Sequence, residues 1–340
     1  MKVSVVIPIY KVENYIERCV RALMEQTLGD VEFLFVDDAS PDGSMEIVRK
    51  VVSEYDRNVR FLVHKMNKGL PAARNTGMEA ATGDYIYHCD SDDWPERTLL
   101  EKMVTAAEKA DADFAYCDFY LSFADKERYM HQPSFADTME LLEKGFLAGM
   151  LKYNVWNKLA RRNLYCSTAL LPTGGAGRGA FPEGLTNGED LTMVKVIRMA
   201  HTVVHVPEAL YHYNRTNDNA ITKTYSEKHF ADIKANTDDV IRFLTEHPIT
   251  HPEYLEYFKL SQKLPLLFSQ SRQQYRLWQQ WYPDANGYIR KNREWPFRTR
   301  MVQQLAAWHL FPIVHLYSWA VDNLFYGLLY KKPLSLSAHH

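Results

Sequence analysis

The sequence predicts an α/β fold, a mostly parallel sheet flanked by helices, followed by a helical appendage at the C-terminus. Three observations predict it. Through the first 120 residues, short β-branched apolar runs alternate with segments whose apolar residues recur at helical spacing. Turn-forming residues fall between these segments. At 340 residues the chain exceeds what one hydrophobic core usually supports, so one large domain with an addition is expected.

Val3 to Ile9 is an apolar, β-branched run, as expected of a strand buried on both faces. Tyr15, Ile16, Cys19, Val20, Leu23 and Met24 follow at helical spacing, and Gly29 stops them. Val31 to Val36 reads as a second strand. After the turn Ser40-Pro41-Asp42-Gly43, a second helix carries Met45, Ile47, Val48, Val51 and Val52 on one side. Val59 to Val63 is a third strand, Leu70 to Ala81 a short helix ended by Gly83, and Tyr85 to Cys89 a fourth strand. Pro95 fits the first turn of a helix running to about Ala110, and Phe114 to Cys117 is a fifth strand. In such sheets ligands collect at the carboxyl ends of the strands, so the polar residues that follow each strand are the candidates for chemistry.

Composition narrows the class. With 46% hydrophobic and 24% charged residues the chain is an ordinary folded protein. A formal net charge of -2 argues against a general nucleic-acid binder. The four cysteines (Cys19, Cys89, Cys117, Cys166) are far apart in sequence and form no C-x-x-C pair, which points to a reducing, cytoplasmic setting. The N-terminus runs straight into the first strand, unlike a signal peptide.

Two strands end in clustered acids: Val36 leads into Asp37-Asp38, and Cys89 into Asp90-Ser91-Asp92-Asp93. Like charges crowded at the mouth of an apolar sheet repel, and a hard divalent cation with bound phosphates relieves them, because carboxylate oxygens suit Mg²⁺ or Mn²⁺. Asp42 and Asp93 have an equal alternative as helix caps.

At these residues the sequence resembles the family 2 glycosyltransferases of GT-A (Rossmann-like) fold. Val5-Val6-Ile7-Pro8-Ile9-Tyr10 is similar to the family's opening strand, and Phe35-Val36-Asp37-Asp38-Ala39-Ser40-Pro41-Asp42-Gly43-Ser44 to its second. Asn67-Lys68-Gly69-Leu70-Pro71-Ala72-Ala73-Arg74-Asn75-Thr76-Gly77 and Gly83-Asp84-Tyr85-Ile86 resemble the next two phrases, and Asp90-Ser91-Asp92-Asp93 the D-x-D signature. The ordered set covers residues 1–225: a donor nucleotide-binding half over 1–120 and an acceptor-side half over 121–225, with a helical region over 226–340. The resemblance implies a nucleotide-sugar donor, UDP-sugar favoured, a divalent cation, and a glycan or lipid-linked acceptor. It implies that Pro8 and Tyr10 border the base, that Asp38 accepts a hydrogen bond from it, that Asp90 touches the ribose and that Asp92 binds the metal. Lys68, Arg74 and Ser91 complete the donor set. A guanidinium at Arg74 suits oxyanions on its own account, and equally suits a structural salt bridge to the same acids.

Val155-Trp156-Asn157-Lys158-Leu159 resembles a phrase at the start of the acceptor side; Trp156 is either a sugar platform or a core aromatic. Thr173 to Gly184 holds five glycines, which fits a loop that closes over the donor or a plain surface loop. Glu189-Asp190, after Gly188, matches the family's x-E-D motif. The resemblance makes Asp190 the catalytic base, which takes the acceptor hydroxyl's proton in a single inverting displacement. The alternative is that both acids cap the following helix. Tyr211-His212-Tyr213-Asn214-Arg215 follows the strand Thr202 to Val206; in the family that this sequence resembles the corresponding strand closes the site, which implies that His212 or Arg215 reaches the diphosphate. His201 and His205 are spaced like a zinc pair but lack acid or cysteine neighbours in sequence, so they are set aside.

Beyond Asp232 the phrases stop. Arg290, Lys291, Arg293, Arg298 and Arg300 interleave with Trp295 and Phe297, and an apolar stretch runs from Met301 to Tyr330. This reads as a membrane-surface segment over 288–330, peripheral at the inner face of the cell membrane, or as a helical hairpin packed on protein. Rival classes fit less well. The first strand lacks the G-x-G-x-x-G of a dehydrogenase and the D-x-D of a haloacid-dehalogenase-like phosphatase, and no glycine- and base-rich phosphate loop follows it as a nucleotidyltransferase needs. A sugar- or partner-binding domain without activity is opposed by Asp38, Asp90, Asp92 and Asp190 occurring together.

Overall fold

A computed structural model describes residues 2–166, 179–185, 188–217, 226–268 and 271–320, with the backbone alone at 188–190. The chain divides into two compact units, Met1–Thr138 with Tyr153–Asp218, and Met139–Lys152 with Asn219–His340.

The first unit alternates as its apolar runs dictate: β1 (Val3–Ile9), α1 (Ile16–Met24), β2 (Val31–Asp37), α2 (Ser44–Val52), β3 (Asn58–Val63), α3 (Leu70–Ala80) and β4 (Tyr85–His88). β1 is buried at every residue, which is why it reads as a continuous run instead of an alternation. α1 buries Ile16, Cys19, Val20, Leu23 and Met24, the stripe its spacing predicts. β1 lies between β2 and β4, and β2 also pairs with β3, all parallel. The carboxyl ends of β2 and β4 therefore flank that of β1, about 10 Å apart across two strand spacings.

Past β4 the sequence reading needs one correction. Pro95 does not open a helix: Trp94–Pro95 forms a short strand, β5, antiparallel to Tyr211 and His212, and α4 (Leu99–Lys109) begins four residues later. Proline is tolerated there because β5 ends the sheet, where its missing N–H costs no ladder bond. The sheet is parallel over most of its paired residues, as expected, and gains antiparallel strands past β4. β6 (Phe114–Ser122) carries antiparallel β7 (Glu127–Met130), and β8 (Lys158–Arg161) is antiparallel to both β4 and β6. After α5 (Gly188–Met199), β9 (Val203–Asn214) runs parallel to β6, giving the order β3-β2-β1-β4-β8-β6-β9-β5.

The second unit is helical: α6 (Glu227–Glu246), α7 (Glu253–Lys263), α8 (Arg272–Gln280), α9 (Phe297–Ala307) and α10 (Phe311–Ala320). Its core gathers Leu260, Leu267, Trp278, Ile289, Trp295, Val302 and Val314. Residues 139–152 belong to it through a π-helical turn, Leu141–Leu147, whose Glu143 accepts from the His251 amide at 2.7 Å.

Candidate active site

The polar residues after the parallel strands meet at one end of the sheet. Pro8 is buried within β1, opposite Val36, while Tyr10 just past it is 39% exposed. Asp38 follows β2, its amide donating to the Ile9 carbonyl at 3.0 Å. Its carboxylate is buried and takes three donors: Oδ1 from His64 Nδ1 (2.7 Å) and the Lys68 amide (2.8 Å), Oδ2 from the Gly69 amide (2.8 Å). Asp38 thus holds the 67–69 turn in place, with Gly69 at φ +91°, a conformation side chains rarely adopt. Each carboxylate oxygen accepts two hydrogen bonds, so Oδ2 retains capacity for one more donor. The Lys68 side chain is exposed. Asp42 serves the α2 start, accepting from Ser44 N–H at 3.2 Å and from the Ser40 hydroxyl at 2.6 Å.

After β4, Asp90 is paired with the buried Arg74 guanidinium of α3 at 2.6 Å. Ser91 is buried. Asp92 accepts from Asn217 Nδ2 at 2.8 Å; burial, with the charge of Asp90, pushes its carboxyl up to about 6 against that hydrogen bond. Asp93 is fully enclosed, taking the Asn214 amide (2.7 Å) on Oδ1 and the Tyr211 hydroxyl (2.8 Å) on Oδ2. Burial, then Asp92 and Asp90, raise it well above the usual carboxylate range. The Tyr211 hydroxyl also accepts the Asp90 amide at 3.2 Å, and Asn214 Nδ2 donates to the Asp92 carbonyl at 3.1 Å. The end of β9 therefore clasps the whole 90–93 segment.

Chemically, three acids crowded at one strand end, two of them with carboxyls raised by burial and by the charge of neighbouring acids, suit a cation that relieves their repulsion. Among the described residues no cluster of three His, Cys, Asp or Glu side chains is arranged to hold a metal. Asp92 is the carboxylate that would hold a divalent cation here, which would supply charge neutralisation to a bound diphosphate.

Several expected residues fall elsewhere. Trp156 is 5% exposed, stacked on Tyr211 (4.5 Å between centroids) and Tyr213, with Phe119 at its edge; its burial fits the core alternative and leaves little ring for a sugar. His212 is sandwiched between Trp94 and Tyr120, its ring nitrogens engaged at 2.8 Å by Glu127 and Glu96. His201 and His205 do have acid neighbours in space, Asp113 and Asp118, which sequence distance concealed. Glu189 and Asp190 lie in the first turn of α5, but their side chains are outside the described residues, as is 173–178 of the glycine-rich stretch. The far end of that stretch is anchored: Asn75 of α3 donates to the Phe181 carbonyl and accepts from its amide. Thr192 of α5 donates to the Ala180 carbonyl at 3.4 Å, so α5 lies beside the 180–181 segment that Asn75 holds.

Sequence reasoning missed His64, Tyr211, Asn214 and Asn217. His64 directly follows β3, so inspecting that strand end as well would have found it. His88, at the end of β4 and fully buried, makes edge contacts with Tyr165 and Phe181; burial and Arg74 push it well below its usual value, and among the described residues neither ring nitrogen has a hydrogen-bond partner.

Comparison with known proteins matches this arrangement. The family described as glycosyl transferase family 2 matches residues 4–180. EpsJ of Bacillus subtilis (strain 168), an uncharacterized glycosyltransferase, is 34% identical over 230 residues, covering 65% of this chain and 63% of EpsJ. EpsH of the same organism, a putative glycosyltransferase, is 31% identical over 257 residues, covering 72% of this chain and 70% of EpsH. The crystal structure of S. aureus TarS 1–349 in complex with UDP-GlcNAc superposes with a TM-score of 0.68 at 17% identity, covering 94% of this chain and 91% of that one. With the family matching over half its length and relatives above 30% identity, the chain belongs to the family 2 glycosyltransferases of GT-A fold.

Proposed function

We propose that this chain transfers a sugar from a nucleoside diphosphate sugar to a glycan or lipid-linked acceptor in one metal-assisted, inverting displacement. The observation that carries the reading is the meeting of the Asp38-held turn, the Arg74–Asp90 pair and Asp92 at the carboxyl ends of neighbouring parallel strands. In this reading Tyr10 and Pro8 border the base, and Asp38 Oδ2 takes the N3–H of uracil as its further donor. Asp90 meets the ribose beside Ser91, while Arg74 and Lys68 face the phosphates. A divalent cation, Mg²⁺ or Mn²⁺, held through Asp92, supplies charge neutralisation of the departing diphosphate. Asp190, in the first turn of α5, accepts the proton of the acceptor hydroxyl as it attacks the anomeric carbon, with Glu189 beside it. Trp156 and His212 support the acceptor side through packing. TarS is solved with UDP-GlcNAc and with UDP, which supports UDP as the first nucleotide to test. A lipid-carried acceptor would bring the chain to the inner face of the cell membrane through 288–330; among the described residues no helix is long and apolar enough to cross one.

The test is thermal stabilisation by nucleoside diphosphates and their sugars, with and without Mn²⁺. A ligand at a hundred times its Kd adds about 2.7 kcal/mol of stability. A UDP-sugar with metal should raise the melting temperature of the parent and not of Asp92→Asn. Absence of stabilisation by every nucleotide tried, or unaltered transfer by Asp92→Asn, would remove the reading.

A further inference from the structure

Helix α10 is apolar on more than the face it buries. Val314 and Ser318 are inside, and Phe311 stacks on Tyr275 at 4.9 Å. On the other side Leu310, Ile313, Leu316 and Trp319 follow one another at intervals of three, 39%, 48%, 63% and 45% exposed. Trp308, at the corner between α9 and α10, is 53% exposed. A helix facing water carries polar residues on its outer side, and a contiguous apolar stripe there marks an interaction surface.

Charge identifies what the stripe meets. Arg290, Lys291, Arg293 and Arg298 are exposed, with Glu294 the single acid among residues 288–300. The two features adjoin: the Arg290 guanidinium lies 5.3 Å from the centre of the Trp308 ring, and its Nε donates to Gln304 of α9. A second copy docked by two-fold symmetry would bring this basic run close to its own image, at an electrostatic penalty. An anionic lipid surface is complementary to both parts, taking apolar side chains below its headgroups and arginines among them, with tryptophan at the boundary. Among the described residues no helix is long and apolar enough to cross a bilayer, and an exposed apolar stripe beside a basic run suits a helix lying along its surface.

We propose that Leu310, Ile313, Leu316 and Trp319, with the basic residues 290–298, form a docking face for an anionic membrane surface. The inference rests on the lipid-linked acceptor reading for its purpose, while its geometry stands alone. The full chain is to be sedimented with vesicles of phosphatidylglycerol and phosphatidylcholine, and with phosphatidylcholine alone. Binding should require the anionic lipid, weaken with salt and shift tryptophan emission to the blue. Leu316→Glu with Trp319→Glu should lower partitioning at least about tenfold, given roughly 1.5–3 kcal/mol per buried large side chain. Arg293→Gln and Arg298→Gln should each lower it about fivefold, from about 1 kcal/mol per basic residue. Both sets alter exposed positions, and stabilisation by UDP-sugar should persist in them. No binding to anionic vesicles, equal binding by the variants, or a dimer in solution that Leu316→Glu abolishes would overturn the proposal. In the unaltered chain, absence of binding to anionic vesicles with donor stabilisation intact refutes only the docking face; the reverse result refutes only the catalytic reading.

Discussion

Tyr211→Phe isolates the clasp between β9 and the D-x-D segment. The tyrosine is fully buried, and its ring stacks on Trp156 with centroids 4.5 Å apart and planes 11° apart, contacts that phenylalanine keeps. Only the hydroxyl goes. It donates to Asp93 Oδ2 at 2.8 Å and accepts the Asp90 amide at 3.2 Å. Asp93 retains the Asn214 amide, so the enclosed carboxyl is left with half its donors. A hydrogen bond to a charged or partly charged buried group contributes about 1.5–3 kcal/mol, and the amide left without its acceptor adds to that. We expect a loss of about 2–3 kcal/mol. For a unit of roughly 200 residues, at about 2–4 °C per kcal/mol, the melting temperature should fall by about 5–10 °C. Because the same hydroxyl fixes the backbone of Asp90, the affinity for UDP with Mn²⁺ should fall as well. Urea unfolding measures the first effect and isothermal calorimetry the second. A stability change under about 0.5 kcal/mol with unaltered UDP affinity would show that the hydroxyl is not what holds the segment.

Two other outcomes follow from burial. Trp156→Ala should cost about 3–5 kcal/mol as a large-to-small core change, visible in chemical denaturation; a raised acceptor KM at undiminished stability would restore the sugar-platform alternative. In the second unit Lys263 is fully buried, donating to the Trp281 carbonyl and Asn286 Oδ1, both at 2.8 Å, beneath the Trp278 ring. Burial lowers its ammonium to about 7 from 10.5, so the folded state sheds a proton that the unfolded chain keeps. Stability of this unit should rise as the pH goes from about 7 towards 10, by on the order of 3 kcal/mol, and Lys263→Met should flatten that slope in urea unfolding.

β1 and β2 were legible because burial on both faces leaves nearly continuous apolar runs, broken only by Ser4, Glu32 and the terminal Asp37, whereas β3, exposed at Asn58, Arg60 and Val63, rests on a shorter pattern. The second half of the sheet obeyed other rules. β9 runs from Val203 to Asn214, yet Pro207 and Glu208 interrupt its apolar pattern, and the reading stopped at Val206. The strand continues because its register with β6 shifts between Cys117 and Asp118 and again before Tyr120, and the irregularity accommodates the proline with both 207 and 208 exposed. β5 is two residues long and is defined by its partner alone. No local pattern encodes such an element.

The acids of the candidate site were legible from their place after β2 and β4, but their partners were not, and α3 shows why. Arg74, Asn75 and Thr76 are consecutive and point in directions about 100° apart, so each reaches a different segment. Arg74 pairs with Asp90 after β4, Asn75 binds both backbone groups of Phe181, and Thr76 bonds His64, which in turn holds Asp38. A helix enclosed on so many sides shows no single apolar stripe: Pro71, Ala72, Ala73, Arg74, Asn75 and Gly77 are all buried. Small residues let it approach the sheet, to the point that a Cβ on Gly77 would sit 2.4 Å from Val6 Cγ1. Hydrophobic periodicity therefore understates α3, and the identity of each polar residue is set by contacts 12 to 108 positions away. One short helix thus connects the Asp38 turn, the Asp90 pair and the 181–183 segment, so a shift of α3 along β1 would disturb all three together, whereas a change in any one strand end would disturb only its own.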